Sequence, residues 1–443
     1  MVKVSKSRLR SIFYLIGPAI IVASVVLGPG SIVTSSKVGC EFGYELLWVL
    51  GMSGIMMVSM VMLSAWIGVS HSKSFCTEIA ERLGRPLAVA IGVTVFGIVA
   101  GFQVSNNVAI LLAFEPFFDN GQIPLNYKIG ILLVLNLLLI GVLFGLKKIY
   151  KPIEKLMMGL VLMMLIGFAV NFFFAGVSIS GVLRGILPSI PDGFFENGFF
   201  PQISEDNETQ KRFVSMPFGA VQGMIATTFS VAGAMYQAYL VKEKGWTLEK
   251  IRAGEVDSIF GITILIGISG LILCTAAAVL HGNVAPSELN SATAVANQLR
   301  PSFGNAAYFL FCLGIFAGAF SSFLVNAMIG GSVLADSIGK TSSIDGIWTK
   351  SFTVSALAFG MVLAIAVSSI ENLAVTDIIV YAQALTVIGN PGLAAAILYL
   401  GHQAKKEGKP VPSWLFVVGY VGLFVVSALG LRTALSIWLS FTL

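Results

Sequence analysis

Long apolar runs recur along the whole chain, and they constrain its fold more than any other feature of the sequence. Eleven of these runs extend for about 20 residues or more, enough to cross a hydrocarbon core of about 30 Å. Only 11% of the residues are charged, whereas soluble domains carry about 25%. The predicted spans are Ile12–Gly39, Tyr44–Val69, Leu87–Phe114, Ile129–Leu146, Leu156–Ala175, Phe218–Val241, Ile259–Leu280, Ala306–Ala335, Phe352–Ile370, Leu373–Gly401 and Trp414–Trp438.

Each predicted span must be an α-helix, because backbone polar groups find no water inside a lipid bilayer. The predicted fold class is therefore an all-α membrane protein with a single transmembrane domain over residues 1–443. The first run follows a basic N-terminus without a small-residue cleavage site, which indicates a retained helix and not a signal peptide. We expect an integral protein of the plasma membrane, in contact with the lipid bilayer.

The distribution of basic residues predicts the orientation of the helices. Most of the 27 lysine and arginine residues fall in connections on the side of the N-terminus, and such a bias is typical of the cytoplasmic side. We therefore predict a cytoplasmic N-terminus and an external C-terminus. The net charge of +5 follows from this bias, so no nucleic-acid partner is expected. The longest connection, residues 177–217, then lies outside, either as a solvated loop or as a lid over the substrate path.

Enzyme signatures are missing from the sequence. The chain contains no HExxH, GxSxG or GxxxxGK[ST] motif. Its four cysteines are scattered without a CxxC pair, and we expect them to be packing residues. We therefore expect no enzymatic activity and no cofactor, which leaves a transporter driven by a gradient, or a receptor or structural membrane protein.

Two of the predicted helices contain breaks. The first span is interrupted by the sequence GPGS at residues 28–31, and the sixth carries small and hydroxylated residues at 226–234. These positions correspond if the chain comprises two five-helix repeats, 12–175 and 218–401, followed by an extra helix at 414–438. Transporters built from inverted repeats bind their substrate near the midplane, between such discontinuous helices. A proline kink and a small-residue packing face are the alternative interpretation.

The residues around the first break resemble the Nramp family of metal transporters. The stretch GPAIIVASVVLGPGSIVTSSKVGCEFGYELLWVL is similar to the family's first helix and the start of its second. Looser similarity is found in KPIEKLMMGLVL, FAGAFSSFLVNAMIGGSVLAD and AQALTVIGNPG, at the fifth, eighth and tenth helices. The resemblance implies a LeuT-type fold of two inverted five-helix repeats plus an eleventh helix. It also implies alternating access and divalent-metal uptake coupled to protons.

The chain departs from the Nramp pattern at the metal-binding positions. Gly28 stands where the family has Asp, and Ser31 where it has Asn. Residues 230–232 are Ser-Val-Ala where helix six of the family carries Met-Pro-His, and residues 105–107 are Ser-Asn-Asn where helix three carries paired carboxylates. We expect none of the 22 acidic residues and three histidines near the membrane centre.

A neutral site changes which ion is expected. Mn²⁺ and Fe²⁺ usually take carboxylate, imidazole or thioether ligands, whereas Mg²⁺ keeps several of its waters. We therefore expect a Mg²⁺-like, partly hydrated divalent cation, as in the Nramp-related magnesium transporters. The predicted substrate-binding residues are Gly28, Gly30, Ser31, Asn106, Asn107, Thr227, Thr228, Ser230 and Gln383.

The same neutral site also suits a small carboxylate or an amino acid. Half-helices that begin at a midplane break direct their positive dipole ends towards the cavity, which favours an anion. Lys37 would repel a cation on the external path, unless its side chain extends to the membrane interface. Lys37 and Asp377 are therefore candidates for the path or for coupling. Besides lipid, the transported solute is the only expected partner, and a monomer is the predicted functional unit.

Overall fold

The chain is mostly helical in the computed structural model, and its helices follow the predicted spans. The first part of the chain forms seven helices, of which α1 and α2 together make the first span. The structure describes residues 17–112, 114, 117–118, 123–191, 198–205, 212–289, 292–369 and 375–442. The helices of the first part are α1 (Pro18–Val26), α2 (Pro29–Phe42), α3 (Leu47–Ser70), α4 (Phe75–Leu83), α5 (Arg85–Leu112), α6 (Leu125–Gly145) and α7 (Tyr150–Phe174).

The second part of the chain is also helical and begins with another two-piece span. A short helix, α8 (Ile179–Gly185), precedes it in the predicted external connection. The helices of this part are α9 (Gly219–Thr228), α10 (Val231–Glu243), α11 (Ile251–Val279), α12 (Ala292–Ser337), α13 (Ile347–Ser369) and α14 (Val375–Lys406), and the last helix of the chain is α15 (Ser413–Ser440).

Nine helices of the described residues are long and apolar enough to cross a membrane, counting α9 and α10 as one, and the bent pair α1–α2 makes a tenth. The 32-residue helix α14 occupies the remaining predicted span. The predicted fold class is therefore confirmed. The predicted span Ala306–Ala335 lies in α12, whose apolar membrane-spanning part is Tyr308–Ser337. α12 is kinked before this part at Gly304 (φ 65°), a backbone conformation that glycine adopts without steric cost.

Part of the predicted external loop is folded. Its strands β1 (Gln202–Glu205) and β2 (Arg212–Ser215) form an antiparallel hairpin, in which Gln202 pairs with Ser215. Both strands contact α15. The hairpin is therefore anchored on the last helix, beside the start of α9.

Close helix contacts hold the first span against α11. A β-carbon at Gly261 would collide with the backbone of Ala19 in α1, and one at Gly39 would collide with the backbone of Leu273. Small residues at such positions let membrane helices approach closely. α12 also packs against both halves of the first span and contacts α5, α7 and α13. The two breaks are thereby held in the interior of the helix bundle.

Candidate functional site

The first break lies between α1 and α2, whose axes differ in direction by 61°. Leu27 (φ −74°, ψ 43°) ends α1, and Gly28, in an extended conformation, precedes α2. Pro29 takes the first position of α2, where the missing N–H group costs nothing. Gly28 lies directly against Ser322 of α12, so a side chain at position 28 would collide with the Ser322 hydroxyl.

Serine hydroxyls bind the carbonyl oxygens at the end of α1, residues 24–26. Ser321 donates to the first of these oxygens at 2.8 Å, Ser322 donates to the second, and Ser31 donates to the third. Carbonyl groups in the last turn of a helix have no partner within the helix. The hydroxyls therefore satisfy the backbone oxygens that the break exposes.

The second break separates α9 from α10. Phe229 has a non-helical backbone (φ −94°, ψ 64°), and the Ser230 Oγ accepts a hydrogen bond from the Gly233 N–H at 3.4 Å. The half-helices α2 and α9 lie side by side, with the Thr34 Oγ1 3.1 Å from the Thr227 Oγ1. Both predicted helix breaks are therefore present, and they lie close together.

A cavity of about 360 Å³ lies where the two breaks meet. Among its described lining residues there is no Asp, Glu, Lys, Arg or His. The lining polar groups are hydroxyls, amides and backbone groups, and the cavity is therefore formally neutral. Six of the predicted site residues line it: Gly28, Gly30, Ser31, Asn106, Thr227 and Ser230.

Two other predicted site residues are not among the residues that line this cavity. The Asn107 side chain donates to the Gln103 carbonyl oxygen at 2.7 Å and accepts from the Asn136 amide at 3.0 Å. These bonds place Asn107 between α5 and α6. Thr228 is buried and is not among the lining residues.

The remaining predicted residues are Gln383, a substrate-binding candidate, and Lys37 and Asp377, the candidates for the path or for coupling. Lys37 is half-buried on α2, four residues before Glu41, and does not line the cavity. The side chains of Gln383 and Asp377 lie outside the described residues, although both positions belong to α14. The assigned roles of these three residues stay predictions.

Several polar residues that line the cavity were not predicted. They include Gln222 of α9, Ser322 and Asn326 of α12, and Thr433 and Ser436 of α15. The pairs on α12 and α15 are spaced by four and three residues, which places each pair on one helix face. This spacing was the available signal, but periodicity alone does not show what a polar face contacts.

The cavity extends towards the predicted external side. Met216 and Gly219, before and at the start of α9, line it together with Ser440 at the end of α15. Asp257, which is fully buried in α11, lies at the opposite end of the first span, beside the start of α1. Its carboxylate accepts hydrogen bonds from the N–H groups of Gly17 and Ala19 at 2.7 and 2.9 Å. A negative charge at a helix N-terminus is favourable.

The end of α10 makes further contacts on the predicted inner side. Tyr239 donates to the buried Asp336 at 2.8 Å, and the Lys242 ammonium donates to three carbonyl oxygens of residues 71–73 at 2.6–3.1 Å. Lys244 forms an ion pair of 2.8 Å with Glu154 of α7. These contacts join α10 to α3, α7 and α12, so the predicted inner side is closed.

The sequence matches a known family and its curated members. The family model described as natural resistance-associated macrophage protein-like, Nramp, matches residues 19–436. The divalent metal cation transporter MntH of Yersinia pestis (strain Pestoides F) is 26% identical over 396 residues, which are 88% of this chain and 86% of that protein. MntH of Klebsiella pneumoniae (strain 342) is 23% identical over 424 residues, 94% of this chain and 92% of that protein.

Solved structures show the same fold. A manganese transporter of Eremococcus coleocola, in complex with an aromatic bis-isothiourea substituted compound, superposes with a TM-score of 0.73 at 17% identity, covering 98% of this chain and 88% of that chain. Mhp1, a nucleobase-cation-symport-1 family transporter, superposes with a TM-score of 0.54 at 12% identity, covering 96% and 93%. The predicted LeuT-type fold is confirmed. Because the family model spans nearly the whole sequence, this chain belongs to the Nramp family of membrane transporters.

Proposed function

We propose that the protein transports a divalent inorganic cation, Mg²⁺-like and partly hydrated, by alternating access. The observation that carries this proposal is the neutral cavity at the meeting point of the two helix breaks. The names of the relatives, divalent metal cation transporters, support a divalent ion as the substrate class.

The chemistry of the lining favours a hydrated ion over a bare transition metal. Mn²⁺ and Fe²⁺ are usually bound by carboxylate, imidazole or thioether groups. Met216, on the predicted external side, is the single thioether among the described lining residues. Mg²⁺ keeps several waters, each of about 30 Å³, and a cavity of about 360 Å³ has room for such an ion.

Hydroxyl and amide groups would bind the waters of this ion through hydrogen bonds. Ser31, Thr227, Ser230 and Asn106 line the cavity, and their hydroxyl or side-chain carbonyl oxygens can accept hydrogen bonds from metal-bound waters. Without a titratable group in this lining, the ion is bound without protonation of a cavity side chain. Closure of the predicted inner side, together with a cavity reaching outwards, fits one state of an alternating-access cycle.

The orientation and the internal organisation belong to the same proposal. We infer a cytoplasmic N-terminus, an external C-terminus and a location in the plasma membrane, from the basic connections. The repeats would cover residues 12–175 and 218–401, with the extra helix at 414–438. The protein would act as a monomer.

Uptake by purified protein in liposomes tests the transport proposal. Vesicles loaded with a Mg²⁺-sensitive dye are expected to show saturable influx, and Ser31→Ala and Thr227→Val are expected to raise KM for Mg²⁺ about threefold to tenfold through lost hydrogen bonds. Thr263→Val is the matched control, because Thr263 is exposed on α11, away from the cavity. Absence of saturable Mg²⁺ influx, or unchanged kinetics in both cavity variants, would reject the proposal.

A small carboxylate or amino acid is the second candidate. One observation favours it: the first turn of α2, whose dipole end is positive, lines the cavity through residues 28–31. A thermal-shift screen against carboxylates, amino acids and Mg²⁺ separates the candidates. Stabilisation by a carboxylate and none by Mg²⁺ would replace the cation proposal with this one.

A further inference from the structure

The orientation of one cavity amide is determined by the last helix of the chain. Gln222 lies in α9, lines the cavity and is only 6% exposed. Its side-chain amide lies 2.7 Å from the Thr433 Oγ1 of α15. The Thr433 hydroxyl already donates to the Leu429 carbonyl oxygen at 3.0 Å, so its oxygen can only accept from Gln222. The Gln222 amide must therefore direct its NH₂ group at Thr433.

This orientation leaves the other end of the amide unused. The Gln222 Oε1 has no hydrogen-bond partner among the described residues, although its side chain is buried. Buried carbonyl oxygens in native proteins are nearly always satisfied by protein or ordered water, so an unsatisfied one suggests an unassigned ligand. An amide oxygen is an acceptor only, and the waters around a divalent cation are donors. The group matches the hydration shell of a cation.

The cavity around Gln222 contains further neutral oxygen atoms, and the described residues that line it include no cationic side chain. Ser436 lies on the same face of α15 as Thr433 and also lines the cavity. Arg432, next in sequence to Thr433, does not line the cavity. Its guanidinium carbon lies 4.8 Å from the centroid of the Phe199 ring, and its NH2 group donates to the Pro217 carbonyl oxygen. The charge of Arg432 is therefore directed to the loop before α9.

We propose that Gln222 and Ser436 form an outer station for the hydrated divalent cation, and that Thr433 is the positioning residue that fixes the Gln222 amide. This inference rests on the proposed function and adds a binding site to it, between α9 and α15. The last helix lies outside the two predicted repeats. The station is thus built partly from an element that the ten-helix core does not contain.

Substitutions at Thr433 test the positioning role through the Mg²⁺ concentration dependence of uptake into liposomes. Thr433→Val keeps the shape but removes the acceptor, so the amide is free to rotate. In this variant KM is expected to rise about threefold to tenfold with kcat little changed. The single variant Thr433→Ser, which keeps the hydroxyl, is expected to have the wild-type KM. Gln222→Met is expected to raise KM by the same factor. The double variant Gln222→Met/Thr433→Val is expected to be no worse than either single variant, because both remove one interaction.

Binding of hexaamminecobalt(III) provides a readout that needs no transport. This ion keeps its ammine ligands, whose N–H groups donate hydrogen bonds as metal-bound waters do. Calorimetric titration is expected to show weaker binding to Gln222→Met and Thr433→Val than to wild type and Thr433→Ser, at equal melting temperatures.

Equal binding of hexaamminecobalt(III) by the wild type and the three single variants would overturn the proposed station. Additive effects on KM in the double variant would also overturn it. Wild-type protein without Mg²⁺ flux would instead overturn the proposed function. Wild-type flux with an unchanged KM in the variants would reject the station alone.

Discussion

Gly28 and Ser322 face each other at the first break with no space between them. The Ser322 hydroxyl donates to the Val25 carbonyl oxygen, and a β-carbon at position 28 would collide with that hydroxyl. The Nramp pattern has an Asp where this chain has Gly28. Ser322 therefore occupies the space that a carboxylate side chain at position 28 would need.

We predict that Gly28→Asp alone does not create a Mn²⁺ site, whereas Gly28→Asp/Ser322→Gly does. Overpacking of the single variant costs about 1–3 kcal/mol of stability, and removal of the serine side chain releases this strain. Mn²⁺ binding measured by isothermal titration calorimetry is the test, with Ser322→Gly alone as the control. Equal Mn²⁺ affinity of the single and double variants would show that Ser322 does not restrict the site.

At the scale of elements, α4 and the end of α14 are joined by an ion pair outside the membrane spans. Arg82 donates to the Glu407 carboxylate at 2.7 Å. This hydrogen bond lowers the pKa of Glu407 below its usual value and raises that of Arg82. The lowered pKa of Glu407 means that the pair stabilises the folded state above the unfolded pKa, and that this contribution is lost as pH falls through the folded pKa.

We therefore predict a pH-dependent effect of Glu407→Gln. The melting temperature is expected to fall slightly at pH 7, because Glu407 is partly exposed and surface pairs contribute little. Below the folded-state pKa of Glu407, the variant and the wild type are expected to melt at the same temperature. Glu249→Gln is the control, since Glu249 takes part in no ion pair among the described residues. A decrease in melting temperature that is the same at both pH values would contradict the prediction.

At the scale of the whole molecule, the predicted inner side is closed by the contacts of Asp257 with α1 and of α10 with its neighbours. Asp257 binds two backbone N–H groups at the start of the first span, and Gly17 lies against the ion pair of Glu154 and Lys244. In the proposed alternating-access cycle, opening on this side would require α1 to leave these contacts. The equilibrium between the proposed access states would therefore depend on them.

We predict that Asp257→Ala shifts this equilibrium towards inner access. Loss of charged hydrogen bonds, about 1.5–3 kcal/mol each, changes a two-state equilibrium about tenfold or more. Labelling of Ser230→Cys by a membrane-impermeant thiol reagent, applied from the predicted inner side, is expected to be faster in Asp257→Ala. Asp257→Asn, which keeps an acceptor oxygen, is expected to lie in between, and an unchanged labelling rate in Asp257→Ala would refute the prediction.

Sequence patterns predicted the broken first span correctly because its cause is local. Proline and glycine at residues 28–30 disfavour a continuous helix wherever they occur. Asp257 shows the limit of this reasoning. The sequence places it just before the predicted span Ile259–Leu280, whereas the structure places it inside α11 and fully buried. Its partners, at the start of α1, are about 240 residues away in the chain.

The sequence by itself determined the membrane class, the spans and the family, because lipid forces every apolar run into a helix and local motifs carry the resemblance. Only the tertiary structure decided which polar groups share the cavity. Gln222, Ser322 and Thr433 belong to three helices that are distant in sequence and meet through packing. Helical periodicity shows which residues share a face, but contact between faces depends on how the helices are arranged in space.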